Sequence, residues 1–149
     1  MTIILDMDFP EIASLLWKQN RLKTFKKWPF KNSDKCNVGS MAAAGFYFVG
    51  NQDEPDLVEC FICNKQLDGW ESHDDPWTEH VKHKPDCFFV TLNKMNEKDW
   101  TVEELYKLYK KHQYNKYVQD STSMLLKLQD EAAALKNELF AMHQKNSGL

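Results

Sequence analysis

Four residues near the middle of the chain have the types and spacing of a metal centre. They run Cys60-x2-Cys63-x16-His80-x6-Cys87. Zinc takes thiolates and imidazole in a tetrahedron, and a Cys-x-x-Cys turn presents two thiolates on one side. His80 and Cys87 then clamp a helix to that turn. Three thiolates and one neutral imidazole fill the sphere and leave no place for a water. The expected cofactor is therefore one structural Zn2+, not a hydrolytic one. On spacing alone His83 and His73 compete with His80 as the fourth ligand. Cys36 fits no ligand spacing and is expected as a free, partly buried thiol.

A second constellation surrounds Trp70. It follows Asp68-Gly69 and lies close to Glu71 and Asp74. An indole wall beside carboxylates suits a small apolar side chain next to an ammonium group, as in a free N-terminal alanine. The carboxylates would form charge-assisted hydrogen bonds with the amine. Trp70 as an ordinary core residue is the alternative of equal weight. No nucleophile-base-acid set is present, so an enzyme is not expected.

The elements that must position these residues follow from local signals. Residues 8–20 read as a short helix, with Asp8 before it, Pro10 in its first turn and an apolar stripe of Ile12, Leu15 and Leu16. Residues 40–45 read as another, with Ser40 as start and Gly45 as stop. Strand candidates are 46–49, 57–61 and 65–67, the last followed by the Asp68-Gly69 turn. Asp75-Pro76 starts a helix that stops at Pro85. Thr101 and Glu104 fit a capping box, opening a helix to about residue 143. At 1.5 Å per residue it would be about 65 Å long. It is expected to project from a domain this small.

The second half of that helix carries a heptad seam: Val118, Ser121, Leu125, Leu128, Ala132, Leu135, Leu139 and Met142. Seams of this kind pair with other helices. The first half has its own stripe of Val102, Leu105, Leu108 and Tyr109, out of register with the second around residues 112–117.

The chain has 149 residues, a net charge of -3 and a pI of about 5.9. That length suits one compact domain with an appendage. The balance argues against a general nucleic-acid binder. Seven basic residues fall within 18–35 and nine acidic ones within 53–79, predicting a basic and an acidic face. No segment approaches a membrane span or a signal peptide, so a reducing intracellular compartment is expected.

Several stretches together resemble a baculovirus IAP repeat (BIR) domain of the inhibitor-of-apoptosis family. They are residues 21–30 from Arg21 to Phe30, Met41 to Phe46, Glu54-Pro55-Asp56, Cys60-Phe61-Ile62-Cys63, Leu67 to Glu71, Asp74-Asp75-Pro76 and His80-x6-Cys87. The resemblance covers about residues 20–90 and selects His80 over His83 as zinc ligand. It implies an α+β fold: a zinc-stapled three-stranded sheet with surrounding short helices, then one long C-terminal helix. The expected division is an N-terminal segment 1–17, the BIR domain 18–92 and the long helix 93–149. Only Cys36 is left over, so the RING finger of ubiquitin-ligase relatives is not expected.

The chain also resembles the family branch that has a single BIR domain and one long helix. In that branch the positions matching Leu67, Asp68, Trp70 and Asp74 hold the N-terminal alanine of a histone tail. Those matching Lys65 and His83 lie by the phosphate of its third residue. Asp68 stands where the branch has Glu, one methylene longer. A further departure is Asn37-Val38, where vertebrate members carry a Thr-Pro site for a cell-cycle kinase.

The resemblance implies a chromosomal passenger subunit. Its long helix, through Val118, Leu125, Leu128, Leu135, Leu139 and Met142, would bundle with borealin-like and inner-centromere-protein-like helices. That assembly would localise an Aurora-type kinase at centromeres and later at the spindle midzone and midbody, in a protein of nucleus and cytoplasm. It also implies a homodimer, with Leu15, Leu16, Trp17, Phe88, Phe89 and Trp100 as apolar candidates. The rival implication is inhibition of apoptosis, by blocking caspases or by capturing antagonists with N-terminal alanine.

Overall fold

A computed structural model describes residues 11–148, with side chains from Ser14 onward. Asp8 and Pro10 lie outside the described residues, as does the Ile12 side chain. The chain forms two compact units, divided between Asn115 and Lys116.

Three short strands form the sheet, β1 (Phe46–Phe48), β2 (Val58–Cys60) and β3 (Gln66–Leu67). Their order is β1-β2-β3, antiparallel throughout. Phe46 pairs with Cys60 and Val58 with Leu67, so the first metal-type cysteine ends the central strand. Around the sheet lie α1 (Lys18–Leu22), α2 (Val38–Ala43), α3 (Pro76–His83) and α4 (Phe88–Leu92), then α5 (Val102–Asn146).

The caps explain the helix boundaries. At α3 the Asp75 carboxylate accepts from Thr78 N at 2.9 Å, with Pro76 in the first turn. At α5 the capping box is reciprocal. Glu104 N donates to Thr101 Oγ1 at 3.1 Å, and Thr101 N donates to Glu104 Oε2 at 2.8 Å.

The strands are a residue or two shorter than expected, α5 runs on to Asn146, and two helices differ more. The segment expected as one helix over 8–20 is a 3-10 turn (Glu11–Leu16), then extended Trp17, then α1. Arg21 accounts for the break, because its guanidinium ties down the Leu15 and Leu16 carbonyls at 2.8 and 2.9 Å. Helix α2 starts two residues before Ser40, because Asn37 caps it by accepting from Ser40 N at 3.0 Å. Gly45 follows α2 at φ +95°, and a Cβ there would lie 2.9 Å from the Phe89 ring. Glycine is therefore required by both backbone and packing.

Phe46, Phe61, Phe89, Met41, Val58 and Leu108 are fully or almost fully buried. Each such side chain contributes about 1.5–3 kcal/mol by leaving water. Leu108 belongs to α5, so the first turns of the long helix complete the core. From the stripe expected there, Tyr109 also packs on it while Val102 is exposed. His112 Nδ1 lies 2.6 Å from Phe61 O, and Asn115 donates to Ile62 O. The α5 residues beyond Lys116 are solvent-exposed, the heptad seam among them.

Candidate metal centre and peptide groove

The ligand atoms of Cys60, Cys63, His80 and Cys87 lie within 4.8 Å of one another and could hold a metal ion. Cys60 Sγ is 3.9 Å from Cys87 Sγ, and Cys63 Sγ is 3.6 Å from His80 Nε2. Each comes from a different kind of element: the end of β2, the turn after it, the middle of α3 and the cap of α4. Ile62 N and Cys63 N point at Cys60 Sγ, at 3.3 and 3.5 Å, an arrangement that favours a thiolate. Asn64 closes the turn at φ 59°. His80 Nδ1 is 2.8 Å from Ala44 O, so that nitrogen carries the proton and Nε2 faces the sulfurs.

The electrostatics of the cluster favour charge separation. Burial alone would lower the His80 pKa, but hydrogen bonding to Cys63 and Cys87 overrides it and raises the value to about 9. Hydrogen bonds from Cys60 and Cys63 hold the Cys87 thiol far below its ordinary range. Burial pushes the Cys60 thiol up, and its neighbouring sulfurs push it further. A cation would replace these protons, and the donor set of three sulfurs and one imidazole nitrogen suits it. The two rival histidines are elsewhere. His73 pairs with Glu71 at 3.4 Å, and His83 with Glu79 at 3.2 Å.

Beside the sheet, Leu67, Asp68, Gly69, Trp70, Asp74, Glu79 and His83 line one cavity of about 170 Å³. Five of the six expected groove residues therefore meet, while Lys65 is not in the lining. Gly69, at φ +70°, turns the chain so that Asp68 stays exposed while Trp70 turns inward. Trp70 is only 7 % exposed and stacks edge-on against Phe46 at 5.9 Å. It is thus both a core residue and a wall of the cavity. Its backbone N–H donates to Asp56 Oδ2 at 2.8 Å, and its Nε1 has no protein partner. Asp74 is anchored by accepting from Glu71 N at 2.8 Å.

The chain matches the Inhibitor of Apoptosis domain family, BIR, over residues 21–91. It is 38 % identical over 130 residues to Baculoviral IAP repeat-containing protein 5 of Cavia porcellus, covering 87 % of this chain and 91 % of that protein. The chain belongs to the BIR family of inhibitor-of-apoptosis proteins. The Rattus norvegicus protein of the same name is 42 % identical over 114 residues, 76 % of this chain and 80 % of that one. Among solved structures, a crystal structure of DIAP1 BIR1 bound to a Grim peptide is 36 % identical. It covers 49 % of this chain and 69 % of that one, at a TM-score of 0.42.

Three BIR residues escaped the sequence reading. Arg21, assigned to the basic face, is fully buried. Its Nε donates to Ala42 O at 3.0 Å, and its guanidinium lies 4.3 Å from the Phe61 ring centre. Burial lowers its pKa to about 10. Glu59, assigned to the acidic face, is buried instead, where Tyr47 OH donates to it and Gln66 Nε2 donates at 3.0 Å. Nothing in their spacing distinguishes these two from their exposed neighbours. Glu79 is the third; its placement four residues before His83 on one helix was the available signal. Cys36 is more buried than expected, at 0 % exposure, with Sγ 3.3 Å from Glu71 O. Of the apolar dimer candidates, Leu16 and Phe89 are core residues. Leu15, Trp17, Phe88 and Trp100 keep partial exposure, and Trp17 stacks on Trp100 at 6.5 Å.

Proposed function

We propose that this BIR protein is a non-catalytic adaptor of the survivin or deterin type, which reads a free protein N-terminus and assembles helices. The ion at Cys60, Cys63, His80 and Cys87 is zinc, held structurally, since four protein donors leave no open position. The reading rests above all on the cavity that Asp68, Trp70 and Asp74 line together. An alanine methyl enters against the indole, and its ammonium meets the two carboxylates.

The target is a phosphorylated histone tail beginning with alanine. The phosphate on its third residue lies towards His83 and Lys65. His83 is held by Glu79 at 3.2 Å, so phosphate must compete with that carboxylate. The α5 seam pairs with borealin-like and inner-centromere-protein-like helices. The assembly carries an Aurora-type kinase to mitotic centromeres and later to the spindle midzone and midbody.

The test is fluorescence anisotropy on full-length protein with short tail peptides. A free alanine N-terminus is expected to bind, its acetylated form to fail, and third-position phosphorylation to tighten binding. Asp68→Asn and Asp74→Asn are expected to weaken it at unchanged zinc content. They are better probes than Trp70→Ala, which would also open a core cavity. Equal binding of free and acetylated peptides rejects the groove. Capture of caspases or apoptosis antagonists by the same groove is the rival; a chain without the α5 seam that keeps its full cellular role would favour it.

A further inference from the structure

A second concavity lies away from the alanine groove, on the α5 turns that complete the core. Phe88, Lys107, Lys110, Lys111 and Tyr114 line a shallow cavity of about 460 Å³. Its floor is aromatic, from Phe88 at the start of α4 and Tyr114 on α5. Its rim is cationic. Lys107 shares its charge with Glu103 at 2.9 Å, and the Lys110 ammonium sits 5.2 Å from the Tyr106 ring centre. Residues 105–118 hold four lysines and no acid, so neither Lys110 nor Lys111 has a carboxylate one helical turn away. It is a second lysine-rich stretch in a chain of net charge -3, besides residues 18–35. Lys111, with Phe88, also lines a neighbouring polar cavity of about 290 Å³ next to Cys63 and Cys87.

We infer that this face is a docking site for an acidic peptide segment carrying a bulky apolar residue, whose side chain lies on Phe88 and Tyr114 while flanking carboxylates meet Lys107, Lys110 and Lys111. Charge complementarity selects this occupant. An apolar floor under a ring of ammonium groups rewards a segment that brings both an aromatic or branched side chain and negative charge. A second copy of the chain is disfavoured, because an isologous contact here sets lysine against lysine near its axis. Single-stranded nucleic acid would also use the lysines, but a net charge of -3 disfavours a nucleic-acid binder.

The probe is a fluorescein-labelled peptide with one phenylalanine flanked on both sides by aspartates, titrated with full-length, metal-loaded protein. Binding is expected, weakening with salt. Replacing its phenylalanine with alanine, or its aspartates with lysines, is expected to cost at least about tenfold. The exposed double variant Lys110→Glu/Lys111→Glu should lose the same factor, with metal content and binding of the alanine tail peptide unchanged. No measurable binding of the probe overturns the inference, as does equal binding by the double variant. Tighter binding of a single-stranded RNA than of the peptide also overturns it, as does a dimer in sedimentation that the double variant dissociates.

Discussion

At the residue scale, two buried charged groups show what burial demands. Arg21 satisfies the carbonyls of Leu15, Leu16 and Ala42, which no apolar residue could reach as a donor. Arg21→Met is expected to cost about 3 kcal/mol, read as a lower urea midpoint. The metal ligands carry the second case. With the His80 pKa at about 9 and the Cys60 thiol above its ordinary value, both groups hold protons at pH 7 in the metal-free chain. Metal binding must expel at least those two. Affinity therefore rises with pH below about 9, by about 100-fold per unit for two protons. Zinc competition against a chelating dye at pH 7 and pH 8 measures this. A pH-independent constant would mean that the ligands are already deprotonated.

At the element scale, α5 passes from core to solvent along one helix. Its first turns contribute Leu108 to the core and set His112 against the Phe61 carbonyl. Farther along, Leu128 is 53 % exposed. Leu108→Ala is expected to lower stability by about 3 kcal/mol. Leu128→Ala should leave the isolated chain within about 0.5 kcal/mol of the parent. The same change should weaken capture of the proposed partner helices. Denaturant unfolding and a pull-down, run on both variants, separate the two roles. A Leu128→Ala chain that assembles normally would remove the seam from the interface.

At the scale of the whole molecule, the compact units divide at residues 115 and 116, well inside α5. A truncation meant to remove only the exposed seam proposed to assemble must therefore spare Leu108, His112 and Asn115. A chain ending at Asn115 is expected to keep the urea midpoint of the full protein, its zinc and its tail-peptide binding, and to lose helix assembly. A chain ending at Asp99 should be destabilised by several kcal/mol, because it loses the Leu108 side chain and the partner of the Phe61 carbonyl. Equal midpoints for the two truncations would contradict the packing of the first α5 turns. The BIR fold has a small core, so zinc removal by chelator should unfold it far more than either truncation does.

The features that were legible in the sequence are those written in short-range chemistry. Cys60, Cys63, His80 and Cys87 declare themselves by type and spacing, and Asp75-Pro76 and Thr101 to Glu104 by capping geometry within one turn. The α5 seam shows as a period, and the Asp68-Gly69 turn as a glycine that the chain needs at φ +70°. Tertiary structure decided what spacing cannot encode. It sent Arg21 and Glu59 inward while their charged neighbours stayed in water, because only there do distant carbonyls and Tyr47 meet them. It made Trp70 core and groove wall at once, by setting Phe46 behind it. It gathered Phe88 with three α5 lysines. A residue's type sets which contacts it can make. Whether it is buried depends on elements far away in the chain, and no local pattern carries that information.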